Sequence, residues 1–200
     1  MAIFLIIFLF LISILATVII IRIYNIIRLA GSIVKSVEEE DFFPNSVNKI
    51  KAGIYANFIE ELQKKYGVPR AKLYCFKGWL LVPQAGYFIK EQIATCIFSP
   101  FNKNRSIVLI SENLLKIFSE DDIKWIICHE IGHINMRDLL FKIGLIHSQK
   151  YHMREEFAAD EFAARLIGQE QSIATLQKIR EFCNDPIIGR RIEHLKSKNP

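Results

Sequence analysis

Five residues, His129-Glu130-Ile131-Gly132-His133, constrain this chain more than any others. On a helix, positions i and i+4 share a face, so both histidines can turn a ring nitrogen to one metal ion. Glu130 sits one step beyond the first of them, where its carboxylate reaches a water on that ion. Zinc brings the pKa of such a water towards neutrality, and the carboxylate can take its proton as it attacks a carbonyl. The alternative is a polar strip on a solvated helix. The surroundings argue against it. Ser119 and Asp122 form a capping box at the helix start, with Glu120 and Asp121 also suiting the dipole in the first turn. Ile123, Ile126, Ile127, Ile131 and Ile134 recur at helical spacing, and Trp125 and Cys128 add bulk. Two histidines and a glutamate in so apolar a helix need partners, and a metal supplies them.

A catalytic zinc usually has three protein ligands and an open position. Position 139 is Leu, so no third histidine follows six residues after His133. The next candidates lie in Arg154-Glu155-Glu156-Phe157-Ala158-Ala159-Asp160, where Glu156 and Asp160 fall on one helix face. Glu156 reads as the third ligand. Asp160 reads as the acceptor for the other nitrogen of a ligand histidine, which fixes its tautomer. Ala158 and Ala159 keep the face slim, so two helices can approach closely. Glu155 is the alternative ligand, with Ala159 at its i+4 position. A charged, solvated helix face is the bland reading of the same residues. His147 and His152 read as surface or hinge residues.

From about Ile54 to about Leu195 the chain resembles the membrane-associated gluzincins, a family that includes HtpX and the CAAX prenyl proteases. The resemblance rests on Phe58-Ile59-Glu60-Glu61-Leu62, the turn Gly67-Val68-Pro69, and Ser106 to Leu115 as a strand leading into a helix. It rests further on the acidic cap, His-Glu-x-x-His with Asp138 five residues on, Glu156-Phe157-Ala158-Ala159-Asp160, and Pro186 with Arg191-Ile192. It implies a zincin-like fold, peptide-bond hydrolysis and one zinc per chain. It also implies an edge strand that pairs with substrate, and a side chain that stabilises the oxyanion. Main-chain pairing of that kind tolerates many sequences. Ser106-Ile107-Val108-Leu109-Ile110 is the candidate edge strand, with an ordinary internal strand as the alternative. Arg191 is the candidate oxyanion donor, weighed equally against a salt bridge that pins the last helix; His194 is a weaker candidate. Two features depart from the family. Asp185 stands where many members have His before the proline, and it reads as an N-cap with Pro186 at N1. Between the zinc helix and the third ligand, Leu139 to Ile146 is too short to span a bilayer. That interval resembles minimal soluble gluzincins, beta-lactam sensor metalloproteases and repressor-cleaving proteases of mobile elements.

Ala2 to Ile21 carries no charge, and its polar members are only Ser13 and Thr17. The length matches a transmembrane helix. A cleaved signal peptide fits poorly, with no basic n-region and no small-x-small site. Arg22, Arg28 and Lys35 follow the run, which predicts a cytoplasmic catalytic domain. Ile26, Ile27, Leu29, Ile33 and Val34 could lie on the membrane or extend the helix. Glu38 to Asp41 and Pro44-Asn45-Ser46 mark a boundary. The net charge of +5 suits a neighbour of anionic lipid heads and lacks the clustered basic and aromatic residues of a nucleic-acid binder. Cys75, Cys96, Cys128 and Cys183 form no Cys-x-x-Cys pair and read as reduced packing residues.

Residues 72–76, 79–82, 87–89, 93–98 and 106–110 are candidate strands, and helices dominate from Glu112 onward. The expected architecture is α+β: a minimal gluzincin domain at 45–200 with a small β-sheet and an active-site helix. An anchor at 1–24 and a juxtamembrane linker at 25–44 precede it. The expected function is that of a membrane-anchored zinc endopeptidase acting on protein or peptide substrates, with membrane-protein quality control as the candidate role. The alternatives are a site-specific protease cutting a repressor or membrane regulator, and a zinc-bound membrane scaffold without catalysis. His129, His133 and Glu156 would hold the metal, with Glu130 as general base and later acid.

Overall fold

A computed structural model describes residues 2–39, 47–49, 53–77, 80–82, 87–89, 94–98, 106–136, 149–183 and 185–198. Helix α1 (Ala2–Glu39) runs unbroken through the apolar segment and on beyond it. Within it, Phe4–Asn25 has a mean hydropathy of 3.3 and none of it is buried. At 1.5 Å per residue, such a span is about 33 Å long, enough to cross a hydrocarbon core of about 30 Å. The Thr17 hydroxyl donates back to the Ser13 carbonyl at 2.8 Å, so this polar group is satisfied inside the helix.

The domain that follows holds helix α2 (Ile54–Tyr66), which ends at Gly67 in the left-handed conformation that glycine adopts without strain. Strands β1 (Val47–Lys49), β2 (Ala71–Phe76), β5 (Ala94–Phe98) and β6 (Ser106–Ser111) form one sheet in the order β1-β2-β6-β5. Strand β6 runs parallel to β2 and antiparallel to β5, and β1 is antiparallel to β2. A separate antiparallel pair joins β3 (Leu80–Val82) and β4 (Tyr87–Ile89). The boundary at 44–46, and residues 83–86 and 99–104 between the candidate strands, lie outside the described residues.

Every residue of β6 is buried. Its continuous apolar run is what a strand covered on both faces requires. Val108 and Ile110 join Leu73, Ile59 and Leu62 in one core with Ile123, Ile127 and Ile131 of the long helix that follows. Ile107 and Leu109 point to the opposite face by the two-residue period, and they are equally buried.

Among the described residues, four helices follow the short α3 (Glu112–Ile117). They are α4 (Glu120–Met136), α5 (Gln149–Ile167), α6 (Gln169–Cys183) and α7 (Pro186–Ser197). Helix α4 begins with the expected box. The Ser119 N–H donates to Asp122 Oδ2 at 3.1 Å, and the Asp122 N–H donates back to Ser119 Oγ at 3.4 Å. Asp122 also accepts from Thr175 Oγ1 at 2.8 Å, Gln171 Nε2 at 3.1 Å and Lys178 Nζ at 2.6 Å, which ties α6 to the start of α4. Helix α7 starts at Pro186 with Asp185 as N-cap, whose Oδ1 accepts from the Ile187 N–H at 2.8 Å.

Candidate active site

Helices α4 and α5 meet where their side chains are smallest. A Cβ built on Gly132 would stand 3.1 Å from the Ala159 Cα. Ala159 and Ala163 are fully buried along the same seam. This close approach lets one turn of α5 present two carboxylates to the histidines of α4.

His129, His133 and Glu156 each place one potential ligand atom within 4.8 Å of the others. The Nε2 atoms of the two histidines are 3.1 Å apart. Glu156 Oε2 lies 3.5 Å from His129 Nε2, and its Oε1 lies 3.4 Å from His133 Nε2. Two ligands about 2.1 Å from one ion at the tetrahedral angle stand about 3.4 Å apart. Each histidine thus stands at the separation of a ligand pair from the other and from one of the two Glu156 oxygens, and two nitrogens with a carboxylate are a suitable donor set for zinc. Glu156, not Glu155, completes it.

Contacts at the other ring nitrogen favour one tautomer of the neutral ring. His129 Nδ1 lies 2.9 Å from Asp160 Oδ1, and Asp160 is fully buried. A carboxylate there holds the proton on Nδ1 and leaves the Nε2 lone pair for a cation. Trp125, one turn earlier on α4, stacks on the His129 ring with centroids 5.4 Å apart. Glu130 is buried beside its histidine. Cys128 points into the core, where burial pushes its thiol up to about 12, and it is a packing residue.

Charges in this cluster are strongly coupled. Burial and the Arg191 guanidinium press His129 down, while hydrogen bonds to Asp160 and Glu156 press it up, for a net rise to about 9. Burial opposes ionisation of Glu156, but hydrogen bonds to both histidines outweigh it and hold the carboxyl far below its usual range. Asp160 is likewise held low against its burial, mainly by Arg191. A cation at the two Nε2 atoms competes with the proton that these carboxylates favour.

Arg191 reaches the cluster from α7. Its Nε and Nη2 donate to Asp160 Oδ2 and Oδ1 at 2.8 and 2.6 Å, and its Nη1 lies 2.9 Å from Glu156 Oε2. All three nitrogens face carboxylates, the geometry of a salt bridge pinning α7 to α5. His194 is turned away, 2.7 Å from Glu161 and stacked on Phe157.

One expectation is overturned. Ser106-Ile107-Val108-Leu109-Ile110 is not an edge strand, because β2 pairs on one side of it and β5 on the other. Among the described residues, β5 is the edge of the sheet on that side, and it packs beside α4. Residues 106–110 are apolar on both faces, as a central strand is, and that pattern was the available signal. Trp125 was read only as bulk, although its i−4 spacing from His129 places it on the ligand face. His147 and Asp138 lie outside the described residues; His152 is exposed on α5.

Residues 98–151, from the end of β5 to the start of α5, match the profile of Peptidase family M48. Over these residues the chain is similar to that family. Among its relatives is a protein named Protease HtpX from Hahella chejuensis, 37% identical over 59 residues, or 30% of this chain and 20% of the relative. Protease HtpX from Ectopseudomonas mendocina is 24% identical over 172 residues, covering 61% of this chain and 55% of the relative. That from Pseudomonas syringae pv. tomato is 24% identical over 156 residues, covering 53% and 52%. The chain thus spans about half, or less, of the length of these relatives. The M48 match includes His129, Glu130 and His133 and stops short of Glu156, which the structure brings to them.

Proposed function

We propose that this chain is a membrane-anchored, zinc-dependent endopeptidase of the gluzincin type, with a zincin-like domain. The reading is carried by the convergence of His129, His133 and Glu156, which each bring one candidate ligand atom within 4.8 Å of the others. When bound there, zinc would acidify a water and polarise the scissile carbonyl. Glu130, one residue along from His129, takes the proton and returns it to the leaving amine. Asp160 keeps the His129 Nε2 lone pair directed at the cation. Strand β5, Ala94–Phe98, which is the edge of the sheet on that side among the described residues, replaces 106–110 as the strand to which a substrate segment adds through its main chain. Protein substrates of loose sequence requirement follow from that mode. They include unfolded segments of membrane proteins beside the anchor, as a quality-control role would require. Arg22, Arg28 and Lys35 after the apolar span favour a cytoplasmic domain.

The test is casein cleavage by the zinc-loaded full chain in detergent micelles, beside its Glu130→Gln variant. Cleavage by the parent and none by the variant, with zinc equally bound in both, is the expected outcome. Equal cleavage by both removes Glu130 from the mechanism. Zinc bound in both with no cleavage of any unfolded substrate favours the scaffold.

A further inference from the structure

The Glu156 carboxylate straddles the two histidines, one oxygen facing each Nε2 at nearly equal distance. Left to itself, such a group can chelate one ion through both oxygens. Arg191 breaks that symmetry. Its Nη1 lies 2.9 Å from Oε2, whereas Oε1 faces His133 Nε2 at 3.4 Å. From this asymmetry we infer that Arg191 is a positioning residue that withholds Oε2 and leaves Oε1 as the single oxygen Glu156 offers to a cation.

The device is rigid because the guanidinium is anchored elsewhere. Nε and Nη2 form a fork on both oxygens of fully buried Asp160, so the plane of the group is fixed before it meets Glu156. Helix α7 is itself locked by the Asp185 cap and by buried Ile188, Ile192 and Leu195, which turn Arg191 inward. A planar fork serves two carboxylates at once, whereas a lysine ammonium at the end of a flexible stem does not. A positive charge on Oε2 weakens it as a donor. With a cation bound, the protein would then supply three ligand atoms and leave room for water and substrate. Chelation through both oxygens would fill that room with protein.

The inference rests on the metal reading above, and the experiment separates the two. The full chain in micelles is loaded with Co2+, whose visible bands are strong in four-coordinate sites and weaken as coordination rises. The parent is expected to give the strong spectrum. Arg191→Gln is expected to bind Co2+ with several-fold weaker bands, as Oε2 joins the ion, and Arg191→Lys is expected to resemble it. A purely structural arginine would alter the amount of cobalt bound and leave the band intensity per ion unchanged, which would overturn the inference. A parent whose own X-ray absorption shows five ligand atoms would overturn it without any variant. A His133→Ala spectrum identical to the parent's would show that cobalt binds elsewhere, and the metal reading itself would fall.

Discussion

Gly132→Ala isolates the helix separation on which the site depends. On propensity alone, alanine in a helix interior is better than glycine by about 1 kcal/mol. Against that, the new methyl would stand 3.1 Å from Ala159 Cα, 3.3 Å from its Cβ and 3.3 Å from its carbonyl oxygen. None of these is the end of a flexible side chain, so the backbones must part. Restoring an ordinary carbon contact of about 3.6 Å needs a shift of about 0.5 Å. Glu156 and Asp160 flank Ala159 and would move with it. Zinc–ligand distances tolerate only about 0.2 Å. Overpacking of this kind costs about 1–3 kcal/mol. If the bound state bears it, zinc affinity falls about 5- to 150-fold. The assay is competition for zinc against a chromophoric chelator, with Trp125 fluorescence reporting ion arrival beside the ring stacked on it. Gly189→Ala on α7 is the control, since nothing lies within 4 Å of its added Cβ. It should bind zinc as the parent does. If Gly132→Ala also binds zinc like the parent, the α4–α5 spacing does not set the ligand geometry and the reasoning is refuted.

Asp160→Asn is expected to weaken zinc binding about 10- to 100-fold, as loss of a carboxylate behind a ligand histidine does; unchanged affinity in the same competition assay would count against its role. Asp122 is held below its ordinary pKa: burial raises it, but hydrogen bonds from Lys178, Ser119 and Thr175 outweigh burial. Its stabilising contribution is therefore present above about pH 4 and lost as pH falls through the depressed folded value. Asp122→Asn should lower stability by about 1–3 kcal/mol at neutral pH and flatten the acid limb of the unfolding curve; a variant with the parent's full acid dependence would contradict this. Ile12→Arg places a charge mid-span in Phe4–Asn25, at about 2.5–3.5 kcal/mol. It should move protein from the carbonate-resistant membrane fraction to the supernatant, and complete retention would argue against the span.

Local signals in the sequence carried far. The Ser119–Asp122 box, the isoleucine spacing and the i, i+4 histidines describe α4 within a residue or two, because caps and helix faces depend on neighbours within one turn. Candidate strands at 72–76, 87–89 and 106–110 lie on β2, β4 and β6 for the same reason: β-rich runs bounded by turn residues are short-range features. Strand β1 was missed, since Val-Asn-Lys is three residues long and two of them are polar. Its strand character comes only from pairing with β2.

What the sequence by itself determined was therefore the inventory: an apolar helix of membrane length, a motif helix with its cap, and a second helix bearing Glu156 and Asp160 on one face. Tertiary structure decided how these meet. It placed 106–110 in the middle of the sheet and gave the edge to β5, because strand order is a matter of contacts across tens of residues that no local pattern encodes. It turned Arg191 onto Asp160, 31 residues earlier in the chain. There a buried carboxylate gains more from a planar cation than either group would gain in water. It also drew α4 and α5 together at Gly132 and Ala159, where the absence of side-chain bulk sets the distance at which two histidines and a glutamate can share one ion.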